Sequence, residues 1–292
     1  MPTSPRRRAS TRLRAPRPVG ARLVGACLVV ALTVACSAQG APAAPPATPS
    51  ATAPAPLPRD AVVDYQLGGA YRPAADVTVV VRDRTEKPDP TRYSVCYVNA
   101  FQTQPGQLGW WKKHHPTLLL KRQGVLVRDP GWPDEVLLDQ RTAAKRAAIV
   151  SIVSGWFRGC AKAGYDAIEA DNLDAWTRSR SLLTRAQTTS TAKGLVRAAH
   201  ATGLAIAQKN TPEIDGRALG FDFAVAEECE VYRECGDYTR LYGRGVVEIE
   251  YTDNGRAAYA RACRQRAGDH PITLRDRDVV PRGARGHVFQ HC

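Results

Sequence analysis

Eight short apolar runs, helical periodicity between the later ones, and charged or amide residues closing several runs predict an α/β fold. The architecture that satisfies all three is a parallel (β/α)8 TIM barrel forming a single catalytic domain. The runs fall at 62–67, 77–82, 93–99, 165–171, 204–210, 221–228, 246–252 and 271–276. The strongest helix covers 143–163, where Ile149, Ile152, Val153, Trp156, Phe157 and Cys160 recur at spacings of three and four and Gly164 stops the pattern. A second helix runs to about Thr202, with Leu195, Val196 and Ala199 on one face, and a third covers 256–266. The first helices of the barrel are short or missing. Residues 100–134 read mostly as a long loop with Trp110, Trp111 and Trp132, and loops of such length are usually functional. A doubly wound sheet lacks support, because no Gly-x-Gly-x-x-Gly follows the first run and no phosphate-loop pattern occurs. No cofactor is expected.

The chain divides by composition. Residues 1–36 read as a signal peptide of lipoprotein type: an arginine-rich leader without acids precedes the apolar "LVGACLVVALTVAC". Cys36 is the expected lipidation site, with ordinary cleavage near Ala38 as the alternative. Residues 37–59 form an Ala/Pro-rich linker that cannot bury a core, leaving 60–292 for the barrel. The expected location is extracellular or at the cell surface, as a monomer tethered only through its N-terminus to the outer face of the cytoplasmic membrane. Seven arginines of the formal +13 charge sit in the leader, and the rest are spread without a basic stripe, which argues against nucleic-acid binding.

Six cysteines lie beyond the leader, an even number that suits disulfides in an exported chain. Cys229 and Cys235 are close enough in sequence to close a small loop, and Cys263 with the terminal Cys292 is the other candidate pair; other connectivities remain open. No metal site is expected. There is no Cys-x-x-Cys, and His287 and His291, four apart at the chain end, have no acid between them.

The polar residues at the run ends carry the chemistry. In a barrel the C-terminal strand ends face the active site. Asp171 and Asn172 end the fourth run, Lys209 and Asn210 the fifth, Glu227 and Glu228 the sixth, Glu250 and Tyr251 the seventh. Helix caps explain one or two such residues singly, not acids at three run ends and a lysine at a fourth. Strand parity places Ala167, Glu169 and Asp171 on one face and Ile168 and Ala170 on the other; Ala205, Ala207 and Lys209 likewise share a face. Asp171 and Glu227 then face each other across the mouth, as paired-carboxylate hydrolysis of a glycosidic bond requires. One carboxyl donates a proton to the leaving oxygen; the other, ionised, attacks carbon or activates water. A non-catalytic surface carbohydrate-binding lipoprotein on the same barrel is the alternative.

These residues resemble the endo-α-1,4-polygalactosaminidase family of glycoside hydrolases. "DYQLGGAY" and "VCYVNAF" are similar to its first- and third-strand signatures, and "GYDAIEADNLD" to its Glu-Pro-Asp-Asn segment. "AIAQKN", "FDFAVAEECEVYREC" and "VVEIEYT" resemble the strands that follow, so the likeness covers roughly 62–254 in order. The closing "RDRDVVPRGARGHVFQHC" resembles endings of actinobacterial members. The resemblance implies an endo-acting, cofactor-free hydrolase of galactosamine-rich polysaccharide. Its catalytic acids fall on Asp171 and Glu227; Glu227 is expected to be the general acid and Asp171 the nucleophile or base. Gln66, Tyr97, Glu169, Asn172, Lys209, Asn210, Glu228 and Glu250 are the expected sugar-binding residues. Ala170, Ala226, Glu228 and Asn99 depart from the usual Pro, Asn, Gln and Ser. The added acid at Glu228 is expected to favour a cationic, deacetylated amino sugar.

Overall fold

The computed structural model describes residues 53–292. The expected signal peptide, the lipidation site Cys36 and the linker up to residue 52 lie outside the described residues. Parallel strands β1 (Val63–Tyr65), β2 (Val79–Asp83), β3 (Tyr93–Asn99), β4 (Ala167–Asp171), β5 (Ala205–Lys209), β6 (Phe223–Glu227), β7 (Val246–Tyr251) and β8 (Ile272–Arg275) stand side by side in chain order. The sheet curls until β8 meets β1, where the Thr273 hydroxyl donates to the Val63 carbonyl at 2.8 Å and the Arg275 guanidinium donates to the Tyr65 carbonyl. A short β9 (Phe289–His291) pairs antiparallel with β8. The fold is a (β/α)8 barrel.

Helices α1 (Leu108–His114), α2 (Ala143–Ala163), α3 (Arg185–His200), α4 (Cys235–Tyr242) and α5 (Ala257–Arg266) all follow β3 in the chain; loops alone join β1 to β2 and β2 to β3. α2 starts where the Thr142 hydroxyl accepts the Lys145 amide, and it stops at Gly164, whose φ of 96° is open to glycine without penalty. Thr184 and Gln187 close a capping box at the start of α3. The two helices pack against each other through Gly194: a Cβ there would sit 2.7 Å from a Val150 methyl.

Parallel barrel strands are buried on both faces, which is why their sequences read as nearly continuous apolar runs. Val63, Val79, Val95, Ala167, Ala205, Val225 and Val247 fill the barrel interior. The alternate residues Cys96, Ile168 and Ile206 pack outward with Ile149 and Val153 of α2 and Leu195 of α3. Leu57 packs on the interior cluster and the Ala55 carbonyl accepts the Tyr93 hydroxyl, so contacts begin ahead of residue 60.

Among the described residues, three disulfides tie the layers: Cys96–Cys160 joins β3 to α2, Cys229–Cys235 closes a loop after β6, and Cys263–Cys292 joins α5 to the C-terminus. The segment after β3 is more structured than a long loop. It holds α1, a one-turn 3-10 helix (Pro116–Leu118) and a hairpin of Lys121–Arg122 with Val125–Leu126. Trp111, Leu120, Leu137 and Leu138 of this segment are fully buried, and that apolar content orders it. Among the described residues, no helix is long and apolar enough to cross a membrane.

Candidate active site

Three consecutive strands end in the same way. Asp171, Lys209 and Glu227 close β4, β5 and β6, and each is followed by a residue in the left-handed region: Asn172 at φ 69°, Asn210 at φ 47° and Glu228 at φ 59°. The turn ends the ladder and leaves the last strand side chain directed into the mouth. Asparagine tolerates this conformation well; glutamate does so at greater strain, of order 1–2 kcal/mol.

Lys209 is the hub. Its ammonium, with a side chain only 2% exposed, lies 2.7 Å from Glu169 Oε1, 3.3 Å from Asp171 Oδ1 and 3.2 Å from Glu227 Oε2. It also sits 3.0 Å from the Tyr65 hydroxyl, which donates to Glu169. A tyrosine serves each of the two outer acids: Tyr97 donates to Asp171 Oδ2 at 2.7 Å, and Tyr251 donates to Glu227 Oε1. Asn210 grips Glu227 twice, through Nδ2 to Oε2 at 3.1 Å and through Oδ1 to the backbone amide at 2.8 Å. Asn172 reaches across to Asn99 at 2.9 Å and accepts from Arg178 at 2.8 Å.

These contacts set the charges. Burial opposes ionisation of Asp171, but the Lys209 ammonium and the Tyr97 hydroxyl outweigh it and hold the carboxyl below its usual range. Burial of Lys209 likewise favours the neutral amine, and Asp171, Glu169 and Glu227 reverse this, holding it firmly protonated. Glu169 is pushed up, chiefly by its complete burial.

Asp171, Glu227, Lys209, Tyr97 and Asn172 all border one cavity of about 280 Å³ at the barrel mouth. Other expected sugar contacts are placed elsewhere. Gln66 is sealed behind β1, accepting from Arg82 and donating to Asp64. Glu169 lies beneath the cavity as a partner of Lys209. Glu250 points the other way: with Glu248 it faces the outer helices and accepts the Glu230 amide, while Val247, Ile249 and Tyr251 take the interior. Asn210 positions Glu227 from the side.

Glu228 also departs from expectation. Arg277 pairs with it, Asn254 donates to it, and so it is not a free acid awaiting a cationic sugar. Trp111 is core, Trp110 packs on Trp156 and on His114 of α1, and Trp132 alone of the three borders the cavity. Asp166 and Asp174 are supports: Asp166 accepts the Ser94 amide at 2.8 Å and Asp174 pairs with Arg178. Asp139 pairs with Arg141 at 2.7 Å.

Sequence reading missed Tyr65, Glu135 and Arg277, and it noted Tyr251 only as the end of a run. Parity could have found the tyrosines, because each shares a face with valines that point into the barrel. Glu135 comes from the segment after β3, which no strand pattern describes. Cys229, Cys235 and Glu248 cluster within 4.8 Å, but the two sulfurs are joined and offer no thiolate to a metal.

The model of glycoside-hydrolase family GH114 matches residues 43–292. The chain belongs to family GH114. This agrees with the polygalactosaminidase-like motifs and makes the protein a glycoside hydrolase. Its fold is similar to that of Aspergillus fumigatus Ega3, solved in complex with galactosamine, at TM-score 0.65 and 20% identity over 84% of this chain and 100% of that one. The glycoside hydrolase domain of PelA from Pseudomonas aeruginosa is similar at TM-score 0.53 and 15% identity, covering 76% of the GH114 chain and 97% of its own. No curated protein sequence matches it.

Proposed function

We propose that this GH114 protein is an exported endo-glycosidase that cleaves internal α-1,4 bonds of galactosamine-containing polysaccharide through Asp171 and Glu227. The observation that carries the reading is the convergence of both carboxylates on Lys209 at the floor of a sugar-sized cavity. Family membership and the galactosamine bound to Ega3 support the substrate class.

The environment suits Asp171 to the ionised role, and we assign Glu227 the acid role. The Lys209 ammonium and Tyr97 hydroxyl favour the Asp171 carboxylate, as a nucleophile needs. Glu227 has the more exposed side chain, at 23% against 18%, and Tyr251 and Asn210 aim it. It donates its proton to the leaving glycosidic oxygen as Asp171 attacks the anomeric carbon. Water deprotonated by Glu227 then releases the sugar. Because both carboxylates touch one ammonium, their nearest oxygens are at most roughly 6.5 Å apart, which leaves out nearly all of the inverting range and supports retention.

Export rests on the leader, with residues 1–36 removed or lipidated at Cys36 and 37–59 as a spacer. The deciding experiment incubates the purified protein with an α-1,4-galactosamine polymer and follows products by mass spectrometry. Internal oligomers of several lengths from the earliest times, with the α-anomer formed first by NMR, are expected. Binding without products, on acetylated and deacetylated polymer alike, would contradict the reading.

A further inference from the structure

Glu135 is a buried carboxylate at the cavity that the hydrolytic pair does not use. Glu135 is 7% exposed and stands on the turn that also presents Trp132, its amide donating to the Trp132 carbonyl at 2.9 Å. Asp129 anchors this turn: it accepts the Gly131 amide at 2.8 Å and Gln102 at 3.1 Å, and it pairs with Arg178. The turn is therefore fixed to the barrel rather than hung over it.

Glu135 is half satisfied. Its Oε2 accepts from Asn99 and from Gln102, both at 2.7 Å. Its Oε1 receives no donor among the described residues and is not sealed inside the protein. The other acids at the cavity have been answered. Lys209 serves Asp171 and Glu227, and Thr85 and Gln104 serve Asp83. Exposed Asp278 can be left to water. Among the described residues no cation pairs with Glu135, while the exposed Trp132 indole borders the same space.

We propose that Glu135 is the counter-ion for the ammonium of a galactosamine unit, forming with Trp132 a subsite that selects deacetylated sugar. The inference rests on the reading of the protein as a galactosaminidase. An ammonium on Oε1 supplies the missing donor and the missing charge together, and the sugar's C–H face lies on the indole. A neutral N-acetyl group leaves the carboxylate unpaired and adds bulk beside it. Burial, against two amide donors and with Asp171 and Asp129 nearby, pushes Glu135 up to about 7. An incoming cation reverses that balance.

The test compares kcat/KM of wild type and Glu135→Gln on deacetylated and on N-acetylated α-1,4-galactosamine polymer. The amide oxygen of Gln can keep the bonds from Asn99 and Gln102. The preference for deacetylated polymer should fall about 30-fold or more, while cleavage of the acetylated polymer changes little. An unchanged preference in Glu135→Gln overturns the subsite and leaves the hydrolase reading intact. A wild type that cleaves neither polymer overturns both. A further measurement needs no variant: free galactosamine should compete with the deacetylated polymer at least about 10-fold better than N-acetylgalactosamine. Equal competition by the two sugars would also overturn the proposal.

Discussion

Two clusters of buried acids sit on neighbouring parts of the barrel, and they differ in what they face. At the mouth, Glu169, Asp171 and Glu227 surround Lys209 beneath an open cavity. Behind β7, Glu248 and Glu230 share Arg266, His270 touches Glu248 at 3.0 Å, and Glu250 accepts the Glu230 amide. This second cluster is roofed by α5 and by the loop that Cys229–Cys235 closes. Both have acids in excess around few cations, and both perturb carboxyl ionisation. Charge density therefore does not mark the active site; access to the cavity does.

The comparison breaks most sharply on activity. Asp171→Asn and Glu227→Gln should each lower kcat on polymer by about 1,000-fold, while Glu248→Gln should stay within about 2-fold of wild type. Reducing-end release measures both. A comparable loss from the outer acid would erase the distinction.

Stability should treat the two hubs alike. Lys209→Met leaves Glu169 buried without its cation, and Arg266→Met leaves Glu248 buried with only His270 beside it. Each should cost about 3–5 kcal/mol in urea unfolding, but only the first should abolish cleavage. A Lys209→Met protein that unfolds like wild type would mean that its acids take up protons and tolerate the loss.

Removing a single donor sharpens the account of the mouth. Tyr97→Phe and Tyr251→Phe each delete one hydrogen bond to a proposed catalytic carboxylate and should lower kcat roughly 10-fold with the midpoint of unfolding nearly unchanged. A change confined to KM would make these tyrosines sugar contacts instead of positioning groups.

The smallest effect belongs to the outer cluster. Burial pushes Glu250 up to about 7, so the folded protein keeps a proton there that the unfolded chain has released. The folded state then binds more protons across that interval, and this contribution to stability is lost as pH rises toward and through about 7. Glu250→Gln fixes the neutral form. Its Tm should exceed wild type by a few degrees at pH 8 and match it near pH 5; equal shifts at both would contradict the assignment.

The same contrast explains what the sequence could show. On β4 and β5 one face is small or charged and the other bulky, so parity alone placed Glu169, Asp171 and Lys209 inside and Ile168 and Ile206 outside. On β7 both faces are buried, but Val247, Ile249 and Tyr251 take the interior while the polar side, Glu248 and Glu250, faces the outer helices, so taking the polar side as the inner one fails there. That is why Glu250 read as a sugar contact. Gln66 failed for a related reason: β1 is short, and its outward face holds a polar network with Arg82 and Asp64. The neutralisation of Glu228 by Arg277 spans most of two further barrel units, and Glu135 depends on how the segment after β3 folds back; neither distance has a local signature.

The central claim is the division of labour between Asp171 and Glu227. It is tested most directly by giving each variant an aryl oligo-α-1,4-galactosaminide whose leaving group needs no protonation. Glu227→Gln should still release the aryl group in a rapid burst and then stall as a covalent adduct found on Asp171 by peptide mass spectrometry, whereas Asp171→Asn should release nothing. Burst and adduct in the Asp171→Asn variant, with a silent Glu227→Gln, would contradict the assignment.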